Sequence, residues 1–556
     1  MNRLVLIFST FLLVYGCTSV PEKKDALISK INKEMSSLPT ALGGVGDEKL
    51  EIMPVNELSS MQLKYQLRDQ NGWTILTPSE DSRLMYVSNS EGDDATAKAY
   101  NISEVSDVFD PSYISAFKTI AAASKLTRDG YPDWILLKKG DEWVIDKSLK
   151  THSGRSASEP MVLTAYSSGD SQRPLIKTKG VDGFQVIRNK RFFSIIGLKF
   201  YAFQRDPNSI DFVGWGNVKG SSGFVSASCA KCANMAESIV LENNVFSFYA
   251  TNIVFSGKSN KNIIVRRNQI LNAYSATGHS QGIFVSTANI IFEENLMDHN
   301  GWFKQSYVRL NDKAEGQATF FNHNAYFEDI KDSIIINNIS SRSSSIGMKF
   351  SSNSDELTGL NTSKVYNLLI DNNLFIEGEI GVSLGGNVDF NNGYRWKNIN
   401  VLNNVFLNIG HGQPTSRTLS LSIAANDWES GNILKNYLLF NDNDNVRNVT
   451  GIVVKGKSKD ILIDSNVLYK INTEAGMDIR LLDKEPLKNI VILRNYIDHV
   501  YDNSFSRNDI RSYMGGQGEE ESLDAFIVKA KELSKGNWNK TYTAEQVNKY
   551  LKVQFD

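Results

Sequence analysis

The stretch KNIIVRRNQILNA, Lys261–Ala273, decides how this chain folds. An apolar run rich in Ile and Val closes at Asn268, and a second, shorter apolar piece follows it. Such a run reads as a strand, with the Asn at a turn. The same order returns in ESIVLENNVFSF, ANIIFEENLMDHN, DSIIINNISSR, YNLLIDNNLFIEG, KNINVLNNVFLNIG, KDILIDSNVLYKI and KNIVILRNYIDHV. The Asn falls at Asn244, Asn268, Asn295, Asn338, Asn373, Asn404, Asn466 and Asn495, mostly 24 to 43 residues apart, with one long gap before Asn466. A period of that size is the mark of a solenoid.

Each unit has short strands with Val, Ile and Leu on the inward phase and no long helix. Paired-helix arrays therefore fit poorly, and the Leu pattern of leucine-rich repeats is missing. What remains is an all-β fold, a right-handed parallel β-helix. The Asn at the turn, in the order strand, Asn, strand, Gly, strand, resembles the rungs of pectate-lyase-type proteins over roughly residues 84–510. That resemblance implies that the Asn side chains stack into a ladder, each bonding the rungs above and below. It speaks for the fold and leaves the reaction open.

The ends read differently. MNRLVLIFSTFLLVYGC has Arg3, then an apolar run too short to span a membrane, then Cys17. Its end, VYGC, resembles a bacterial lipobox, although Tyr15 is not the usual small residue there. The resemblance implies a signal peptide over 1–17, lipidation at Cys17 and a membrane partner reached through acyl chains. Ser19 fits outer-membrane sorting, so the expected location is an outer-membrane lipoprotein facing the periplasm or the cell surface. Residues 18–80 read as a tether and N-terminal capping segment, and 81–510 as the β-helix. Within the latter, Ser112–Gly130 has the apolar spacing of a helix. Residues 511–556 read as a C-terminal helical cap over the solenoid's open end: SLDAFIVKAKEL has an apolar stripe and TAEQ is a capping box. Cys229 and Cys232 (CAKC) lack the strand–helix setting of a redox motif and are expected to be a disulfide or free thiols. A net charge of -2 argues against nucleic acid as a partner, and a monomer is expected.

The chain has only six histidines, and His279, His299 and His323 fall within 45 residues. With the Asn as reference, GIFV, NAYF, GMKF and GVSL occupy one strand position in successive coils. Alternation then puts Ile283, Ala325, Met348 and Val382 inward, and Phe284, Tyr326, Lys349 and Ser383 outward, about 4.8 Å apart from rung to rung. Gln281 and His323 share a column at the start of that strand. The turn before it carries His279, then Asp298–His299–Asn300, then Arg342. In pectate-lyase-type enzymes, which this region resembles, that strand and turn line the substrate groove. The loop from Gly301 to Phe320 is long enough for a wall, with Trp302 and Phe303 as sugar-stacking rings.

The function expected first is a lyase that cleaves an acidic, uronic-acid polysaccharide by β-elimination. Lys349 or His323 would take the C5 proton, Tyr326 would protonate the leaving oxygen and Arg342 would clamp the carboxylate. His279, Gln281, Asp298, His299, Asn300, Trp302 and Asn324 would bind substrate. Some such lyases neutralise the carboxylate with Ca²⁺, and Glu293, Glu294 and Asp298 supply oxygen ligands for one. NDNDN, 441–445, resembles only the start of a calcium loop. A glycoside hydrolase on the same fold, ranked second, would need paired carboxylates; Asp298, Glu328 and Asp329 are the candidates, and no Asp pair of the polygalacturonase kind is evident. A glycan-binding or envelope scaffold is the non-catalytic alternative.

Overall fold

The computed structural model describes residues 68–555, except 168–171, 188, 228–235, 258–259, 287, 308–314, 353–364, 386–395, 413–419, 441–448, 471–478, 483–486 and 499–508. Residues up to Leu76 belong to one unit and Thr77 onward to another. In the first, Arg68 bridges Thr74 across a turn in which Asp69 Oδ1 accepts from the backbone N–H groups of Asn71 and Trp73.

The second unit is a right-handed parallel β-helix. Its three sheets have 13, 12 and 11 strands, here sheets I, II and III in the order each coil visits them. One coil illustrates all: Lys261–Arg266 in sheet I, Gln269–Leu271 in sheet II and Gln281–Ser286 in sheet III. Each strand pairs in parallel with its equivalents one coil before and after.

Between sheets I and II the expected ladder is present. Asn244, Asn268, Asn295, Asn338, Asn373 and Asn404 are buried, and each donates from its side chain to the Oδ1 of the next, at 2.9–3.1 Å. Each amide also reaches a backbone carbonyl inside the coil, as Asn295 does with Val265 O. The long gap before Asn466 holds one more rung, Asn436, which links Asn404 to Asn466. The residue before each Asn takes a left-handed turn, with φ near +50° to +60° at Asn243, Arg267, Glu294, Asn337 and Asn372. Asn tolerates that conformation best among ordinary residues, and ladder bonds hold the others in it.

The inward residues pack as rows along the axis. Phe375 stacks on Phe406 at 4.6 Å and Phe327 on Phe350 at 4.9 Å. Ile263, Val265, Ile283 and Val285 are fully buried among them. The Ser112–Gly130 stretch is helical only over Ile120–Ser124 (α1), capped by Thr119, and it places Phe117, Ile120 and Ala123 in the core beside the first strands.

The C-terminal helices α2 (Ile510–Gly516), α3 (Leu523–Lys531) and α4 (Ala544–Lys552) lie along a flank rather than across the end. Sheet II presents Val245, Leu271, Leu296, Ile339, Leu374 and Val405 outward, and Met514, Phe526, Ile527, Val547 and Leu551 bury that strip. An apolar outer face needs cover along its whole length, and the three helices supply it. Leu481 and Ile492, in line with core residues of the preceding coil, are 44% and 41% exposed at the final coil. Among the described residues, no helix is long and apolar enough to cross a membrane.

Candidate active site

The outer face of sheet III carries the groups expected to do chemistry. Its register matches the sequence reading: Phe284 pairs with Tyr326, Tyr326 with Lys349, and Lys349 with Ser383. Ile283, Ala325, Met348 and Val382 point into the core. The second residue of each strand faces in as well: a side chain at Gly347 would strike the Phe375 ring at 3.1 Å. Two successive inward residues put the first, fourth and sixth positions on the outer face. His323, Tyr326 and Glu328 therefore share one strand's outer side, His323 buried at its start and Tyr326 and Glu328 partly exposed.

Their contacts are specific. The His323 and Tyr326 rings meet edge to face at 5.7 Å, and Phe284 lies against Tyr326 at 5.4 Å. Ser351, two residues beyond Lys349, donates to Tyr326 Oη at 3.0 Å. Burial raises the Tyr326 hydroxyl above its usual value, so it is a proton donor at neutral pH. Lys349 is half-buried and its Nζ donates to Gly385 O at 2.6 Å. Burial, then the neighbouring Asp329, lifts Glu328 to about 6. Gln281 accepts from the His323 backbone N–H at 2.7 Å and donates to Phe321 O at 2.9 Å, which ties the strand start to the preceding loop. His279 is exposed, its ring edge-on to Phe321 at 5.5 Å.

The remaining expected residues belong elsewhere. Arg342 does not clamp a substrate carboxylate on this face. It closes a fork on Asp298, with bonds of 2.8 and 2.7 Å, and reaches Asp524 of α3 at 2.6 Å. Lys531, also on α3, bonds the same Asp298 at 2.9 Å. Burial alone would raise the fully buried Asp298, yet Arg342 and Lys531 hold it below the ordinary carboxylate range. Asp298 thus anchors the helical flank. The left-handed turns at His299 (φ +57°) and Arg342 (φ +49°) separate these side chains from the sheet III face.

His299 is half-buried against Trp302, ring centroids 4.1 Å apart, and desolvation of the ring lowers it to about 4. Trp302 donates Nε1–H to Arg342 O at 2.9 Å and is only 8% exposed, so it packs the turn and presents no platform. Asn300 and Asn324 are not substrate ligands either. They form a second, internal ladder: Asn252 donates to Asn300 and Asn300 to Asn324, while Asn324 donates to Ser340 Oγ and Ser341 O. Gly282 leaves the space that this ladder needs, since a Cβ there would lie 2.9 Å from the Asn300 amide.

The expected calcium ligands are dispersed. Glu294 pairs with Arg267 at 2.6 Å, Asp298 belongs to the helix anchor, and Glu293 ends a sheet I strand. Among the described residues, no group of three His, Cys, Asp or Glu side chains converges as a metal site. Cys17, Cys229, Cys232, His499 and the NDNDN segment lie outside the described residues.

Two features escaped the sequence reading. Ser351 follows Lys349 by two and therefore lies on the same face, a signal available from alternation. The aromatic edge described below depends on loops that only folding brings together.

The molecule is thus a parallel β-helix with one outward sheet face bearing His, Tyr, Lys and Glu. No protein-family profile and no curated protein sequence matches the chain. Similar solved structures include an alginate lyase from Paenibacillus sp. str. FPU-7 (12% identity, 67% of this chain and 95% of that one, TM-score 0.32). Others are a lacto-N-biosidase from Eubacterium ramulus (11%, 74% and 68%, 0.38) and a tailspike protein of E. coli bacteriophage HK620 in complex with pentasaccharide (12%, 87% and 72%, 0.41).

Proposed function

We propose that this protein is a polysaccharide-degrading enzyme, a lyase that cleaves a uronic-acid polysaccharide by β-elimination on the outer face of sheet III. One observation carries the reading: Tyr326 and Lys349 stand in register on adjacent rungs, with His323 against the Tyr326 ring and Ser351 on its hydroxyl. In this scheme Lys349 faces the uronate carboxylate, because Arg342 is committed to Asp298. Neutralising the carboxylate acidifies the C5 proton, which His323 takes as base. The electron pair left at C5 forms the C4–C5 double bond as the C4–O bond breaks, and the Tyr326 hydroxyl protonates the leaving oxygen. His279 and Gln281 lie beside the strand start, where they would contact the flanking sugars.

A panel of alginate, polygalacturonate and chondroitin tests this directly. A lyase leaves an unsaturated, ultraviolet-absorbing sugar at each new end. Lys349→Met should mainly raise KM, whereas His323→Ala and Tyr326→Phe should lower kcat. A kcat loss without a KM change in Lys349→Met would assign the base to Lys349 instead.

Glu328 supports a second reading. A carboxyl held near 6 suits the general acid of a glycoside hydrolase, with Asp329 beside it. New reducing ends without ultraviolet absorbance, lost in Glu328→Gln, would replace the lyase reading with this one. We further propose export, with Cys17 as the lipid-bearing residue. Fatty-acid labelling of the expressed protein, abolished by Cys17→Ser, tests that anchor.

A further inference from the structure

Three turns lead from sheet II into the sheet III strands beginning at Ser222, Gln281 and His323, and the strand beginning at Thr251 lies between the first two. Each brings aromatic residues to the same edge. The first carries Phe212 and Trp215, the second Tyr274 and the third Phe303. They converge: Trp215 meets Phe212 at 5.2 Å, Phe303 at 5.5 Å and Tyr274 at 5.7 Å, and Tyr274 meets Phe303 at 5.8 Å. Tyr274 is fully buried and forms the floor, whereas Phe212, Trp215 and Phe303 are partly exposed.

The floor is rigid. Arg205, itself buried, lies over the Tyr274 ring at 4.7 Å and donates to the backbone carbonyls of Phe248, Lys219 and Tyr274. Phe303 N–H donates to Gly316 O at 2.6 Å, which folds the third turn back onto the cluster. The edge is continuous with the candidate site, because Gln281 and His323 open the strands these turns feed. Phe321, 54% exposed beside His279, extends the apolar edge to the first residue of the Tyr326 strand. Polar groups rim it, including the Lys304–Glu315 ion pair and exposed His279 and Asn217.

We propose that Trp215 and Phe303 form a stacking platform for a pyranose ring of the bound glycan, on the side of the Tyr326–Lys349 pair nearer the N-terminus. This rests on the reading of sheet III as a glycan-cleaving face. A pyranose presents an apolar C–H face that covers an aromatic ring while its hydroxyls reach a polar rim. The preceding coils thus lengthen the substrate site, and chains long enough to reach them are favoured over dimers. Trp302, the neighbour with its indole N–H bonded to the backbone, takes no part.

The test measures KM and kcat on the cleaved polysaccharide, and retention of the full-length protein in gels cast with alginate, polygalacturonate, chondroitin or xylan. Trp215→Ala and Phe303→Ala should each raise KM about tenfold with kcat within about twofold, and weaken retention in parallel. Trp215→Leu keeps apolar bulk without the ring and guards against misfolding; it should show the same rise. Trp302→Phe should leave KM unchanged. If the wild type cleaves and KM is unmoved in Trp215→Ala and Trp215→Leu, the platform is overturned and the catalytic reading stands. If the wild type is retained without cleaving, and retention is lost in both variants, the platform stands and the catalytic reading falls. Failure of the wild type to cleave or be retained by any of the four glycans overturns both.

Discussion

The same coils present two clusters of polar side chains on two sides of the solenoid. On the sheet II side, Asp298 is fully buried between Arg342 and Lys531, and α3 closes over it. On the sheet III side, His323, Tyr326, Glu328 and Lys349 share an outer face, where Ser351 bonds the Tyr326 hydroxyl, Lys349 bonds Gly385 O and the His323 ring meets that of Tyr326. Opposite charges that satisfy one another have no capacity left for a ligand, and removing one strands its partners. The sheet III face gathers a phenol, a lysine and a carboxyl held near 6, groups whose proton affinities span the range that acid–base chemistry uses. Of the clustered histidines, His299 belongs to the first side and His323 to the second.

The sharpest way to break this contrast is to delete Asp298. Asp298→Ala leaves Arg342 and Lys531 facing each other without their carboxylate, and should cost about 3–5 kcal/mol. Denaturant unfolding measures it, and activity per folded molecule should persist. Full stability, with activity lost, would move Asp298 into the working site.

The second effect is a pH dependence of the buried side. His299 has a folded value near 4 against an ordinary 6.5, so the unfolded chain binds more protons between these values. Stability from the neutral ring is present above about pH 6.5 and falls away as pH drops through about 4, by about 3 kcal/mol. His299→Phe should flatten that acid limb in a pH series of thermal melts. Glu328 runs the opposite way. Its folded value is raised to about 6 from 4.5, so its contribution is most favourable below about 4.5 and declines as pH rises through about 6. With partial exposure the decline is about 1–2 kcal/mol, and Glu328→Gln should remove it. The smallest effect belongs to Trp302: losing its bond to Arg342 O in Trp302→Phe should cost about 1 kcal/mol.

How much was legible beforehand follows the range of the interactions. The sheet III register could be read because strand alternation has a period of two, and one slip would have turned Met348 and Val382 out of the core. The Asn ladder was visible for the same reason, except at Asn436, whose strand Gly431–Leu434 is short and contains Gly and Asn. Turn residues were not legible. The backbone is left-handed at His299 and Arg342, and no local pattern tells that Asp524 and Lys531, some two hundred residues on, will meet Arg342 and Asp298. Asn300 and Asn324 looked like ligands because buried and ligating amides use the same residue type. The amphipathic stripe of the C-terminal helices was plain, but the surface it covers emerges only when Val245, Leu271 and Leu296 stack from coil to coil.

The most direct test of the sheet III face as the working one is a single comparison: kcat/KM of Tyr326→Phe and wild type on whichever polysaccharide the wild type cleaves, with Tm measured on the same samples. Removing only the hydroxyl should lower kcat/KM by about 10²–10⁴-fold while Tm stays within about 2 °C. Unchanged kcat/KM in a folded Tyr326→Phe would contradict it.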